Sequence, residues 1–463
     1  MDAGELQAAV DTARTKHGVP GVSVALYADG VLDLAASGIA NVTSGVAMTT
    51  DTLMHVGSIT KVMNCTLLMQ LVDEGRVALE RPVVEYLPGF RLGDAEATRA
   101  ITIEMLVNHT SGIDGDLLPD DGHDGETIAR TIERFSDLTQ IHAPGRGRSY
   151  CNPATVVAGY LCQRIFDRSW YDLMKERLFG PLGMEHAAVL PEDALLFRAS
   201  VGHFLNKATG KLKRTSHAFL PLGYAPAGST AMMSAADLMS FARSHLADGV
   251  GQNGVRIISA ESAARMQRRS GPASGPEAFE CGLGWRLAGE FVSHGGGGPG
   301  IVSFLIAHPR SRTAAAVLTN AEHGFAVIAD VIRPFFVARL QLDPFPPLPA
   351  ATNEVVDAAR YVGRYETINT VHEVEVHDGR LSWASYSTQK YYDSSPMQKP
   401  APTPLIAAGN DRFLADSRAS TMPATDTALI GFVEPDEYGR MQYLVENLWL
   451  FPRRSTPERG IST

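Results

Sequence analysis

Ser58 and Lys61 stand three residues apart in Ser58-Ile59-Thr60-Lys61, which opens a helix-like run to Glu74 closed by Gly75. Residues three apart on a helix share a face, so Ser58 Oγ and Lys61 Nζ can meet. A serine hydroxyl is a weak nucleophile and needs a base beside it. A lysine serves as that base when burial or a nearby cation favours its neutral form. The helix start adds free N–H groups and positive dipole, which favour anionic species. The chemistry this pattern can do is covalent acyl transfer. Taken alone, the same four residues also describe an N-cap serine followed by a solvent-facing lysine. A second S-x-x-K, Ser387-Thr388-Gln389-Lys390, gives an internal contrast. It lies in an alternating, strand-like segment, where positions i and i+3 face opposite sides, and no such chemistry is expected of it.

Two further stretches carry suitable groups. Tyr150-Cys151-Asn152 follows Pro144-Gly145 and precedes a helix-like run from Pro153. The tyrosine can shuttle a proton, and Asn152 can orient a substrate amide or Lys61. His294-Gly295-Gly296-Gly297-Gly298 joins two strand-like segments. Its glycines allow close backbone approach and offer N–H groups to an oxyanion. His294 can donate to a substrate carboxylate or assist proton transfer, since an imidazole titrates near neutrality. Each stretch also has a plainer reading, as a helix start after a packed tyrosine and as a hairpin turn.

These groups need elements to position them. Leu6 to His17 reads as a helix. Gly21–Tyr27 and Val31–Ala36 read as a hairpin about Asp29-Gly30. Helix and loop follow to about Leu246. Strand patterns return at Gly282–Ser293, Ile301–Ala307 and Thr313–Leu318, with turns expected at Gly295–Gly300 and Pro309–Arg312, and a last helix spans Phe325–Leu340. Strands early and late with helices between predict an α/β domain: one antiparallel sheet with flanking helices and a helical subdomain. Pro344, Pro346, Pro347 and Pro349 mark a stiff linker. Beyond it, alternating segments at Glu373–Val376, Arg380–Ala384 and Gln442–Val445 predict a small all-β sandwich or barrel. The expected division is residues 1–342, a linker at 343–353, and 354–463. All three motifs end by Gly298, so the machinery is expected to be complete without residues after about Ala350. The tail is expected near the cleft mouth.

Composition narrows the class. The 463 residues are 44% hydrophobic and 20% charged, with a formal net charge of −10, which disfavours a nucleic-acid partner. No stretch forms a signal-peptide h-region or a membrane span, and a cytoplasmic protein with no membrane partner is expected. Cys65, Cys151, Cys162 and Cys281 make no metal-binding or redox spacing and read as buried free thiols. His372 and His377 lie in a polar strand-like stretch and read as surface residues rather than ligands. No cofactor or metal is called for. No G-x-S-x-G elbow occurs.

In order and spacing, the three motifs together resemble the serine β-lactamase and penicillin-binding-protein superfamily, and most closely its class C β-lactamase-related hydrolases. His109-Thr110-Ser111-Gly112, Pro144-Gly145, Pro181-Leu182-Gly183-Met184 and Thr319-Asn320 agree, and the resemblance spans about Leu6 to Leu340. It implies a β-lactamase/transpeptidase-like fold with Ser58 acylated, Lys61 activating it and Tyr150 as general base and then acid. Asn152, His294, Gly295 and Gly296 would bind substrate, and the N–H groups of Ser58 and Gly297 would form the oxyanion hole. His294-Gly295 replaces the Lys-Thr of K-T-G, which favours an esterase, amidase or D-peptidase over an efficient β-lactamase. The tail is similar to the lipocalin-like domains attached to some of these enzymes, including peptidyl thioesterases that cyclise their product. Transfer to an amine, β-lactamase or D,D-carboxypeptidase action, and an inactive sensor remain as alternatives. The expected substrate is a small-molecule or peptide ester, amide or thioester.

Overall fold

The computed structural model describes residues 3–115, 118–206, 209–272, 280–345, 347–388, 399–416 and 427–454. Helix α1 (Ala3–His17) buries Leu6, Val10 and Ala13, one stripe of a 3.6-residue period. Strands β1 (Gly21–Ala28) and β2 (Val31–Gly38) pair around Asp29-Gly30. Both turn residues have positive φ, as a two-residue hairpin of this hand requires. Helix α2 (Thr60–Asp73) follows a short 3₁₀ turn at Gly57–Ile59, and every residue from Thr60 to Leu71 is buried. Helix α3 (Asn152–Phe166) packs beside it, with Asn64 Nδ2 donating to Thr155 O at 3.0 Å. Helix α4 is Ala235–Leu246.

Strands β3 (Arg286–Ala288), β4 (Phe291–Gly298), β5 (Ile301–His308) and β6 (Thr313–Thr319) return to the first hairpin. The sheet runs β2-β1-β6-β5-β4-β3 and ends on Glu280–Cys281, antiparallel throughout. Both ends of this half of the chain thus meet where Val22 pairs with Thr319. Just beyond β6, Asn320 accepts from Gly21 N at 2.7 Å and donates to Ile39 O and Ser200 Oγ. Thr319-Asn320 is therefore a brace between segments distant in sequence. Helix α5 (Phe325–Leu340) and α1 cover one face of the sheet. The larger core, with α2 and α3, lies on the other.

One expectation is corrected here. The turn placed at Gly295–Gly300 is strand as far as Gly298, and only Pro299-Gly300 turns. Gly295 to Gly298 pair residue by residue with Phe304 to Ile301 on β5. The tertiary ladder overrides the low strand preference of glycine.

After Pro344 the chain forms a second sheet. Its strands are β7 (Gly363–Glu366), β8 (Thr370–His377), β9 (Arg380–Ser387), β10 (Arg412–Asp416), β11 (Thr427–Pro435), β12 (Met441–Glu446) and β13 (Trp449–Arg454). The order is Thr403–Pro404, β9, β8, β7, β13, β12, β11, β10, Ile406–Ala407. The two outermost strands are separated in the chain by Leu405 alone, so the sheet curls until its edges nearly meet. It is an almost closed all-β barrel around Tyr365, Trp383, Phe413, Phe432 and Phe451. In the contrast motif, Ser387 donates to Asn369 O at 3.1 Å, while Gln389 and Lys390 lie outside the described residues, as does Pro346 of the linker. All four cysteines are buried thiols. Among the described residues, no helix is long and apolar enough to cross a membrane.

His377 is exposed, but the surface reading of His372 is wrong: it is fully buried, with Trp383 Nε1 donating to its Nδ1 at 3.1 Å. The strand alternation that points His377 outward sends residue 372 into the barrel. Burial pushes the pKa of His372, and of His245 beside Trp285, down to about 3. A histidine depressed in the folded state stabilises the protein above its unfolded value of about 6.5, and that stability is lost as pH falls toward 3. Urea midpoints measured at pH 7.5 and 5.5 should therefore show a loss of about 1.4 kcal/mol per histidine per pH unit below 6.5. His245→Asn should flatten the slope, and an unchanged slope would refute the assignment.

Candidate active site

Ser58 sits in the 3₁₀ turn that feeds α2, and Lys61 is in the first turn of that helix. Lys61 Nζ donates to Ser58 Oγ at 3.0 Å and to Ala227 O at 2.6 Å. Lys61 is only 2% exposed. It is held by a hydroxyl and a backbone carbonyl, both neutral oxygens. Its ammonium also lies 4.9 Å from the centre of the Tyr150 ring. The first two sequence motifs thus meet at one point. Asn152, the first residue of α3, is partly exposed two positions beyond Tyr150, with Cys151 as the helix cap.

The glycine strand closes the other side. A Cβ on Gly296 would stand 1.9 Å from Val56 O, and one on Gly57 would stand 2.7 Å from Gly297 N. Only glycines let β4 lie directly against the turn that bears Ser58. Gly297 is exposed, and a Cβ there would meet nothing within 4 Å. Gly297 N thus lies against Gly57, the residue before Ser58. Gly295 lies beside His294, half-buried, with its Cα side toward Phe304.

His294 departs from expectation. It is fully buried, and its ring centre lies 6.3 Å from that of Tyr150. Its Nδ1 is 2.6 Å from Gly295 O, so that nitrogen must donate, which leaves Nε2 as a bare acceptor. Burial, then Arg286 and Lys61, hold its pKa well below the usual imidazole range. The expected near-neutral titration is therefore corrected, and a neutral His294 in this tautomer is not a donor to a carboxylate. His109 is similar: its Nδ1 accepts from Cys151 N at 3.2 Å, and its ring lies 4.5 Å from Tyr150. Burial first, and then Lys61, Arg286 and Arg148, keep it neutral.

Two residues were missed from sequence. Arg286 on β3 brings its guanidinium 5.5 Å from the Tyr150 ring, and its buried Nε lacks a hydrogen-bond partner. Arg148, by contrast, is paired with Glu280 at 2.9 Å. An arginine in an otherwise apolar strand just ahead of the His-Gly motif was the available signal. Trp449, on β13 of the barrel, packs its ring 4.7 Å from Tyr150. Nothing in the local sequence ties it to a site three hundred positions away.

With this geometry in view, comparison with known proteins is decisive for the family. Residues 6–333 match the family model described as beta-lactamase. This chain belongs to the β-lactamase family. Over 375 residues it is 36% identical to penicillin-binding protein 4 of Amycolatopsis lactamdurans, covering 79% of this chain and 98% of that protein. The crystal structure of SurE superimposes with a TM-score of 0.78 at 23% identity, covering 98% of this chain and 99% of that one, so the fold likeness runs through both sheets. D-amino acid amidase from Ochrobactrum anthropi superimposes with a TM-score of 0.61 at 25% identity, covering 73% of this chain and all of that one. The β-lactamase-family portion is thus a serine-hydrolase fold, extended here by the barrel.

The close approach of β4 gives a direct test. Gly296→Ala should force the strand away from Val56 and separate the Ser58 and Gly297 N–H groups. The acylation rate should fall by about 10²-fold or more, the usual effect of losing one oxyanion donor, with Ser58 still present and the protein folded by circular dichroism. Unchanged acylation would remove Gly297 from the site.

Proposed function

We propose that the protein cleaves ester or amide bonds through an acyl-enzyme on Ser58. The observation that carries this reading is Lys61 Nζ lying 3.0 Å from Ser58 Oγ while bound to Ala227 O, beneath Tyr150. Ser58 Oγ attacks the substrate carbonyl carbon, and its proton passes into the Lys61–Tyr150 pair. The carbonyl oxygen becomes an oxyanion between the N–H groups of Ser58 and Gly297. The bond to the leaving group breaks as Tyr150 returns the proton to it. Water or an amine then attacks the ester carbonyl, loses its proton along the same route, and Ser58 is regenerated. Lys61 and Arg286 place positive charge beside the Tyr150 ring. Asn152, at the start of α3, is assigned to substrate binding, and the unit before the Pro-rich linker to the chemistry.

Arg286 stands in for the missing lysine of K-T-G as the cation that receives a substrate carboxylate, because His294 is neutral. The relative named for acting on D-amino acid amides supports an amide or peptide substrate with a D-configured residue. A second reading is transfer to an amine, favoured by Trp449 packing on Tyr150, since an apolar cover excludes water from the ester. Product analysis with and without an added amine separates the two.

Intact-mass measurement after incubation with esters, D- and L-amides, peptidyl thioesters and penicillin tests the reading. One acyl adduct should form on Ser58, vanish in Ser58→Ala and persist in Ser387→Ala. An adduct surviving Ser58→Ala sinks the proposal. Arg286→Ala should raise KM about 10-fold or more for substrates ending in a free carboxylate, a charge-assisted contact being worth roughly 1.5–3 kcal/mol. It should leave KM for an ester without a carboxylate unchanged. Equal effects on both would show that Arg286 does not read the carboxylate.

A further inference from the structure

The barrel does more than stand near the cleft. Tyr150 N donates to Leu448 O at 2.9 Å, and Leu450 N donates to Ser149 Oγ at 3.1 Å. Between those two anchors the Trp449 ring lies 4.7 Å from the Tyr150 ring, inclined at 53°. Three consecutive residues of one hairpin thus grip two consecutive residues of the candidate site.

The hairpin is built for this contact at a local cost. Strands β12 and β13 pair Glu446 with Trp449, which leaves Asn447-Leu448 as a two-residue loop. Both loop residues are left-handed, at φ 51° and 77°. Asparagine tolerates that region, and glycine is the usual second residue. A leucine there is strained, and such outliers persist only where their surroundings over-determine them. Here the surroundings are evident. Leu448 is buried, its carbonyl is the acceptor for Tyr150 N, and its position aims Trp449 at the ring. The rest of the seam is also fitted. Ile141 packs with Tyr443, Val445 and Leu450, Arg146 pairs with Glu434 at 2.7 Å, and Asp114 accepts from Ile368 N at 3.1 Å.

We propose that Trp449 is a positioning residue for Tyr150, so that the active site is complete only with the β12–β13 hairpin docked. It stands against the expectation that nothing after about Ala350 contributes to the machinery. It rests on the proton-transfer role assigned to Tyr150 above. Trp449 sets where the phenol stands relative to Lys61 and Ser58. His109, neutral and 4.5 Å from the same ring, supports it from the first unit. Because Trp449 is itself partly exposed, a direct substrate contact is the competing role, and the test must separate the two.

The experiment uses the full chain and the smallest activated ester that wild type turns over. Trp449→Ala should lower kcat about 10- to 100-fold with KM nearly unchanged, the range expected when a reacting group is misplaced by a fraction of an ångström to an ångström. Trp449→Phe, which restores a ring, should recover most of the rate. Ser149→Ala, which removes the acceptor for Leu450 N without touching the tryptophan, should shift kcat in the same direction by a smaller factor. Labelling of Ser58 by a fluorophosphonate should slow in Trp449→Ala yet reach completion. A KM-only change in Trp449→Ala, or full small-ester activity with defects confined to longer substrates, overturns the positioning role and makes Trp449 a specificity contact. Failure of wild type to label at Ser58 would instead overturn the acyl-enzyme reading itself, so the two failures are distinguishable.

Discussion

The structure depends on a lysine ammonium taken out of water beside a serine. Lys61 is 2% exposed and bonded to Ser58 Oγ and Ala227 O. Burying such a group costs several kcal/mol unless its donors are met, so the surrounding backbone is committed to meeting them. The 3₁₀ segment Leu222–Ala227 delivers the Ala227 carbonyl, and the Tyr150 ring lies 4.9 Å from the ammonium nitrogen. Helix α2 must be buried nearly all round to carry the lysine inward, which is why it lacks the polar face of an ordinary surface helix.

Charge is arranged around that point with economy. His109 and His294 are both held neutral by burial and by nearby cations. Each also has one ring nitrogen engaged with backbone, which fixes its tautomer. The cations that remain close to Tyr150 are Lys61 and Arg286. Positive charge beside Tyr150 therefore does not depend on histidine ionisation.

Local pattern made much of this legible. The Asp29-Gly30 hairpin, the Phe325–Leu340 helix and the order of early and late strands follow from turn chemistry and periodicity, and each is observed. The Ser58–Lys61 contact follows from helical spacing. The glycine run was misread as a turn because its strand state is fixed by β5, three to nine residues further on, and not by its own preference. His372 was misread because a barrel interior tolerates a histidine when a tryptophan N–H meets one nitrogen. Arg286 and Trp449 were missed because each reaches Tyr150 only through a ring contact made across the fold.

The same distinction explains why the barrel and the β-lactamase-family portion must be considered together. A Pro-rich linker suggests units that touch by chance, and such units usually share a polar, loosely packed surface. Here the shared surface includes Ile141 set among Tyr443, Val445 and Leu450, and two hydrogen bonds to the backbone and hydroxyl of residues 149 and 150. The start of the linker is pinned as well, with Phe345 packed on Phe304 and Phe325 of the first unit. A hairpin seated this way limits how far Tyr150 can move when substrate enters. The surroundings of Tyr150 are therefore shaped by both sheets, while Ser58 and Lys61 belong to one 3₁₀ turn and the helix it feeds.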